Sequence, residues 1–264
     1  SCFDHRSEIF ISELNRTFTV DRQRTKIFAC QNPYSQGGGR KGLPKSFLNR
    51  FAKVYIDQMG HDDLLFIIGQ VYAGRIDPAT LLDMIRFNDR VSREVCVERR
   101  WGTLGAPWEF NLRDIFRWCD LIVSGESQQQ ERATTTTTRA APGDFVHLIY
   151  ASRFRTESDR RRVYELFEQT FGYAAYRQEQ QTVRFAKTHL QIGQSFLFYN
   201  QGGGEQGGGD QQHTRSALFA LTSKNLKHLE AVIKCVEMNW LVILVGHTCT
   251  GKTSLVRLLA TLSN

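Results

Sequence analysis

The stretch GHTCTGKTS, residues 246–254, fits the spacing G-x-x-x-x-G-K-[ST] at Gly246, Gly251, Lys252 and Thr253. That spacing builds a phosphate-binding loop. Its glycines let backbone N–H groups approach phosphate oxygens, its lysine reaches the outer phosphates of ATP, and its hydroxyl binds the Mg2+. The flanks agree with this reading. WLVILVG (240–246) is an apolar run of the kind that forms a parallel strand buried on both faces, predicted here over 241–245. TSLVRLLATL (253–262) predicts an amphipathic helix from about Lys252, with its positive N-terminal end toward the phosphates. His247, Thr248, Cys249 and Thr250 fill the variable positions, Cys249 as a spacer rather than a nucleophile, and Ser254 closes the stretch. A magnesium-binding aspartate and a water-positioning acid normally lie on a later strand. Only Leu255 to Asn264 follows, so the loop reads as the opening of a nucleotide-binding module.

Composition bounds the remainder. A chain of 264 residues builds one large domain or two modest ones, since cores split beyond roughly 250–300 residues. Hydrophobic residues at 41% and aromatic residues at 11% belong to a globular protein. The net charge of +7 permits an acidic or nucleic-acid partner without demanding one. Arg160, Arg161 and Arg162 form the one arginine triple and read as a solvated helix face. Six cysteines without a C-x-x-C pair read as reduced thiols of an intracellular protein, with no structural zinc. No apolar run approaches the ~18 residues that span a bilayer, so no membrane association is expected. The N-terminus SCFDHRSEIF has neither a Met nor a signal peptide's apolar core and reads as a cut edge.

Two low-complexity stretches, SGESQQQERATTTTTRAAPG (124–143) and NQGGGEQGGGDQQHTRS (200–216), read as flexible linkers. They leave ordered blocks at 1–123, 144–199 and 217–264. In the first block, Ile27 to Cys30 reads as a buried strand stopped by Gln31-Asn32-Pro33, and FAKVYID (51–57) as another. Pro44 opens a short helix ending near Asn49-Arg50. Three helices follow. One carries Leu64, Ile68, Val71 and Tyr72 and stops at Gly74; one has Asp77 as N-cap with Pro78 next; one begins at Asn111 with Leu112, Ile115, Phe116 and Cys119 inward. In the second block Ser158 is the expected cap of a helix burying Val163, Leu166, Phe167 and Phe171 and ended by Gly172. In the last block a helix from about Ser223 turns Leu226, Leu229, Ile233 and Val236 inward.

The first block resembles the second half of an AAA+ ATPase module. FACQNP is similar to the sensor-1 strand, GGGRKGLPKSFLNRF to the segment carrying an arginine finger, and PWEFNLRDIFRWC to the sensor-2 helix of the lid. The wording is closest to the midasin family, the dynein-like AAA+ proteins of large-ribosomal-subunit maturation. IFACQNPYSQGGGRKGLPKSFLNRF, WEFNLRDIFRWCDLI, FRTESDRRRVYELFEQTFG and CVEMNWLVILVGHTCTGKTSLVRLLA carry that resemblance in order.

The resemblance implies an α/β fold of the P-loop NTPase type. A partial α/β subdomain and helical lid of one module (1–123) would be followed by a linker (124–143), a mixed inter-module segment (144–199) and a second linker (200–216). The first helix, strand and Walker A loop of the next module (217–264) would close the chain. It implies that Gly246 through Ser254 bind ATP, with Thr253 on the metal. Asn32 would orient the attacking water and Arg113 face the same upstream nucleotide. Arg50 would act in trans as the finger, with Arg40 and Lys41 lesser candidates. It further implies a chaperone-like ATPase of the nucleolus and nucleoplasm that releases assembly factors from pre-60S particles. Its partners would include neighbouring AAA+ modules of the same chain, and any RNA contact would be indirect. This stretch alone is expected to be inactive.

Two other readings stand beside this one. A module that binds ATP without hydrolysing it would lack an acidic pair on the next strand. A basic RNA-contacting scaffold draws on the last 52 residues, with six Lys/Arg against two Glu, but aromatic platforms are not interleaved with them.

Overall fold

The computed structural model describes residues 7–21, 23–31, 44–130, 140–175, 181–186, 188–199 and 223–263. In chain order these form β1 (Glu8–Ile11), β2 (Arg16–Thr19), α1 (Lys45–Leu48), α2 (His61–Val71), α3 (Pro78–Ser92), α4 (Leu112–Gln130), α5 (Pro142–Ile149) and α6 (Glu157–Phe171). Then come β3 (Val183–Phe185), β4 (His189–Ile192), β5 (Ser195–Phe198), α7 (Ser223–Glu237) and α8 (Lys252–Ser263). The architecture is mixed helix with two small antiparallel sheets, in the orders β1-β2 and β3-β4-β5.

Local signals set the helix ends. Asp77 accepts the N–H groups of Ala79 (3.0 Å) and Thr80 (3.2 Å), and Pro78 supplies no N–H where none is needed. Gly74 and Gly172 take left-handed φ of +71° and +75° just past α2 and α6. The expected cap of α6 is displaced by two residues. Thr156, not Ser158, accepts the Asp159 N–H (3.1 Å), because the helix already begins at Glu157. A five-residue π turn, Arg93–Val97, prolongs α3.

Helices α2 to α6 enclose one core. Phe87 is fully buried at its centre, with ring centroids of Tyr150, Trp118 and Phe167 at 4.9, 5.5 and 5.8 Å. Each such ring adds about 2–3 kcal/mol by leaving water. Their polar ends are met: Trp118 donates to the Pro142 carbonyl (2.9 Å) and Tyr150 to Asn88 Oδ1 (3.0 Å). This core runs from Ile68 to Ala175, so α5 and α6 pack with α2–α4 as one unit. Helix α4 extends to Gln130 and α5 starts at Pro142, so both ends of the 124–143 stretch read as a linker are helical.

The arginine triple does not form one solvated face. Arg162 turns inward to the buried Glu94, donating to both its carboxylate oxygens at 3.1 Å, and Arg160 Nε donates to the Phe154 carbonyl (2.9 Å). Arg161 alone stays exposed.

A second, smaller core joins Leu190, Ile192 and Leu197 of the three-stranded sheet to Leu229 and Ile233 of α7 and Leu262 of α8. Val232 is buried where the sequence pattern pointed to Val236, which is 43% exposed; Val71 of α2 is likewise outside, at 57%. The strands within 181–199 have no counterpart among the expected elements. The pointer was Gly193-Gln194, a two-residue turn between apolar runs, with Gly193 at φ +58°.

Three expected strands carry no ladder. Ile27 to Cys30, Phe51 to Asp57 and Leu241 to Val245 are described without regular structure, and Phe28, Ile56 and Leu241 are 89%, 85% and 99% exposed. A strand buried on both faces exists only between partner strands. Among the described residues none pairs with these segments.

Candidate functional site

The 246–254 turn is organised around one ammonium group. Lys252, first residue of α8, donates through Nζ to the carbonyls of Gly246 (2.9 Å) and His247 (2.6 Å) and lies 3.3 Å from Thr250 Oγ1. Thr250 donates in turn to the His247 carbonyl (2.9 Å), closing the loop. Two left-handed residues make so tight a turn: Cys249 at φ +63° and Gly251 at φ +81°. A side chain at Gly246 would come within 3.1 Å of Thr250 Oγ1, so that glycine keeps the loop's throat open.

Helix α8 is twelve residues long and opens directly after the glycine turn, with Thr253, the residue after Lys252, exposed in its first turn. An ammonium, a hydroxyl and a helix N-terminus at one turn form a donor set that fits phosphate oxygens and a hard cation. No group of three or more His, Cys, Asp or Glu among the described residues is arranged to hold a metal by itself.

The remaining candidates stand on other elements. Arg113 is exposed in the first turn of α4, on a firmly held base. Its N–H is accepted by Asn111 Oδ1 (2.9 Å), and Asp114 Oδ2 accepts the Asn111 N–H (3.1 Å). Arg153 then braces Asp114 (3.2 Å) and lies 4.4 Å over the Phe110 ring. Arg50 is exposed in the turn after α1, its N–H accepted by the Phe47 carbonyl (3.2 Å). Asn32, with Arg40 and Lys41, lies outside the described residues. Among the described residues, those of 246–254 form one hydrogen-bonded cluster, while Arg113 stands on α4 and Arg50 follows α1.

Sequence reasoning missed the joint that seats this loop. Met238 and Trp240 pack against the helical core, and Arg117 of α4 places its guanidinium 5.6 Å from the Trp240 ring centre. Buried Lys234 pairs with Glu237 (2.7 Å) and sits 5.9 Å over the Phe145 ring, while Glu237 accepts the Phe196 N–H (3.1 Å). Helix α7 is thus tied to the helical core on one side and to the sheet on the other. A lone Trp between an amphipathic helix and an apolar run was the available signal.

One buried histidine and three thiols are pushed toward their neutral forms. Burial, helped by the charges of Arg160 and Lys227, pushes His147 down to about 4, and it hydrogen-bonds Tyr164 (2.7 Å). Burial pushes the Cys119 thiol up to about 12 and raises those of Cys96 and Cys235 as well, as for small core hydrophobes. No helix among the described residues is long and apolar enough to cross a membrane.

Residues 63–174, nearly the span of the helical core, match the family described as the Midasin AAA lid domain. A midasin of Dictyostelium discoideum is 43% identical over 277 aligned positions, taking in 100% of this chain. A midasin of Giardia intestinalis is 36% identical over 160 positions, 60% of the chain. The chain spans 4% of the first of these proteins and 3% of the second.

Proposed function

This chain belongs to the midasin family of AAA+ proteins, and on that footing we propose that its 246–254 loop binds ATP–Mg2+ in a ring-forming remodelling ATPase. The observation that carries the reading is the Lys252 ammonium, held inside a glycine turn by carbonyls it can exchange for phosphate oxygens. Bound ATP–Mg2+ supplies the phosphoryl group and the charge that its transfer develops. Around it, Lys252 reaches the outer phosphates, the Thr253 hydroxyl ligates the metal and the first N–H groups of α8 face the phosphates.

Asn32 and Arg113 serve the nucleotide of the preceding module, Asn32 by orienting water and Arg113 by neutralising phosphate charge from the lid. Arg50 acts across to a neighbouring module's nucleotide. The whole protein releases assembly factors from pre-60S particles in the nucleolus and nucleoplasm.

The test is photolabelling of the full-length protein with an azido-ATP, read by mass spectrometry at residues 246–254. Wild type should be labelled there and Lys252→Ala should not. Equal labelling in the variant removes the assignment. Cells carrying only Lys252→Ala should accumulate large-subunit precursors with assembly factors still bound.

A further inference from the structure

The outer face of α3 bears a charged cleft of about 380 Å³ that no residue of the 246–254 loop lines. Arg86, Arg90 and Arg93 line it from α3, Arg100 from beyond the π turn and His61 from the start of α2.

Pairs within the helix account for part of this. Arg86 meets Asp83 (3.2 Å), Arg93 meets Asp89 and Arg90 meets Glu94 (3.6 Å), the i,i+3 and i,i+4 pattern of a solvated helix face. They do not account for Arg100, which comes from another element. The π turn brings it there, with the Glu98 N–H donating to the Arg93 carbonyl (2.8 Å) and the Arg100 N–H to the Glu94 carbonyl (2.9 Å). Arg99 takes φ +51° at the same bend. A π turn and a left-handed arginine are both unfavourable backbone choices, and they coincide at the cleft's edge.

The cleft's cations are only partly satisfied from within. The side chains of Arg86, Arg93 and Arg100 are 57%, 60% and 63% exposed. Each guanidinium has five N–H donors, far more than one carboxylate contact occupies. The carboxylates that line the cleft, Asp89, Glu94 and Glu98, are each already engaged, Glu94 by Arg90, by Trp101 (2.8 Å) and by Arg162.

We propose that this cleft receives a phosphate group, carried on a monoester or as the free ion. An incoming carboxylate would offer Arg93 and Arg100 only what Asp89 and Glu98 already provide (Arg100–Glu98, 2.7 Å). A phosphate monoester brings a charge of about −1.5 to −2 and three acceptor oxygens, which guanidinium forks bind in pairs. No Phe, Tyr or Trp ring lines the cleft to stack a base, which separates it from a single-strand RNA groove. The same chemistry arrives on a phosphorylated side chain of a protein partner or as free phosphate.

The test uses this chain with Lys252→Ala, so that the 246–254 loop does not contribute, and isothermal titration calorimetry. The probes are a phosphoserine peptide, its unphosphorylated twin, inorganic phosphate and oligouridylate. The phosphopeptide should saturate one site at least tenfold more tightly than its twin. Arg93→Gln with Arg100→Gln should weaken it by about tenfold or more, while Arg184→Gln on β3 leaves it unchanged. If the glutamine pair fails to fold, Arg93→Lys with Arg100→Lys, which keeps charge and loses the forks, should show the same direction of change. Inorganic phosphate binding as tightly as the peptide assigns the site to the free ion. Equal affinity for the twin, saturation by oligouridylate alone, or an unaffected double variant overturns the proposal.

Discussion

Arg117 and Trp240 meet across the seam between the two cores, guanidinium 5.6 Å from the ring centre. Arg117 lies on α4, the helix whose first turn carries Arg113, and Trp240 leads directly into the apolar run before Gly246. The end of α7 is therefore where the helical unit, the three-stranded sheet and the glycine turn are joined, with the Lys234–Glu237 pair buried inside the joint.

Breaking that pair from one side should be worse than removing it whole. Lys234→Met leaves the Glu237 carboxylate buried without the ammonium beside it and should cost about 3 kcal/mol. Lys234→Met combined with Glu237→Gln should recover part of the loss, since an amide still meets the Phe196 N–H. Urea unfolding of the two variants beside wild type checks this; a double variant weaker than the single one would refute it.

Glu94 should make the helical unit acid-sensitive. Burial by itself raises its carboxyl, but hydrogen bonds from Trp101 and Arg162 and the charges of Arg162 and Arg90 outweigh it and leave it below the ordinary value. A depressed native value means that the stability it adds is complete above the unfolded-state value of about 4.3 and drains away as pH falls through the native one. Between about pH 5 and pH 3 wild type should lose stability more steeply than Glu94→Gln. At neutral pH Glu94→Gln should be weaker by about 2 kcal/mol. Thermal melts over that range supply both readings.

The cap of α6 separates two neighbouring hydroxyls. Thr156→Ala should cost about 1 kcal/mol, because the Asp159 N–H loses its acceptor. Ser158→Ala, inside the helix, should change stability by only a few tenths of that amount. Equal losses in denaturant titrations would place the cap elsewhere.

Gly251→Ala should damage the loop without damaging the fold. At φ +81° an alanine is strained by about 1–2 kcal/mol. Nothing lies within 4 Å of an added Cβ, so no clash adds to this cost. Azido-ATP labelling at 246–254 should fall while the melting of the helical unit stays in place. Undiminished labelling would show that the turn does not need the left-handed residue.

Features governed by residues a few positions apart could be read from the chain. Asp77-Pro78 begins α3, Gly74 and Gly172 end their helices, and the G-x-x-x-x-G-K-T spacing places a tight turn directly before α8. Each rests on hydrogen bonds closed within a single turn of chain. Ser158 failed as a cap because two hydroxyls two positions apart offer the same local signal, and only the first helical residue distinguishes them.

What depended on distant partners could not be read that way. Apolar runs at 27–30, 51–57 and 241–245 have strand composition, yet a strand forms only on a ladder, and those segments meet none among the described residues. Conversely, β3 to β5 pair with one another and cover α7, although their pattern is weaker. The inward turn of Arg162 and the contact of Arg117 with Trp240 both join residues far apart in sequence. Periodicity identifies which face of a helix is apolar; only packing identifies what that face, and the charges beside it, will meet.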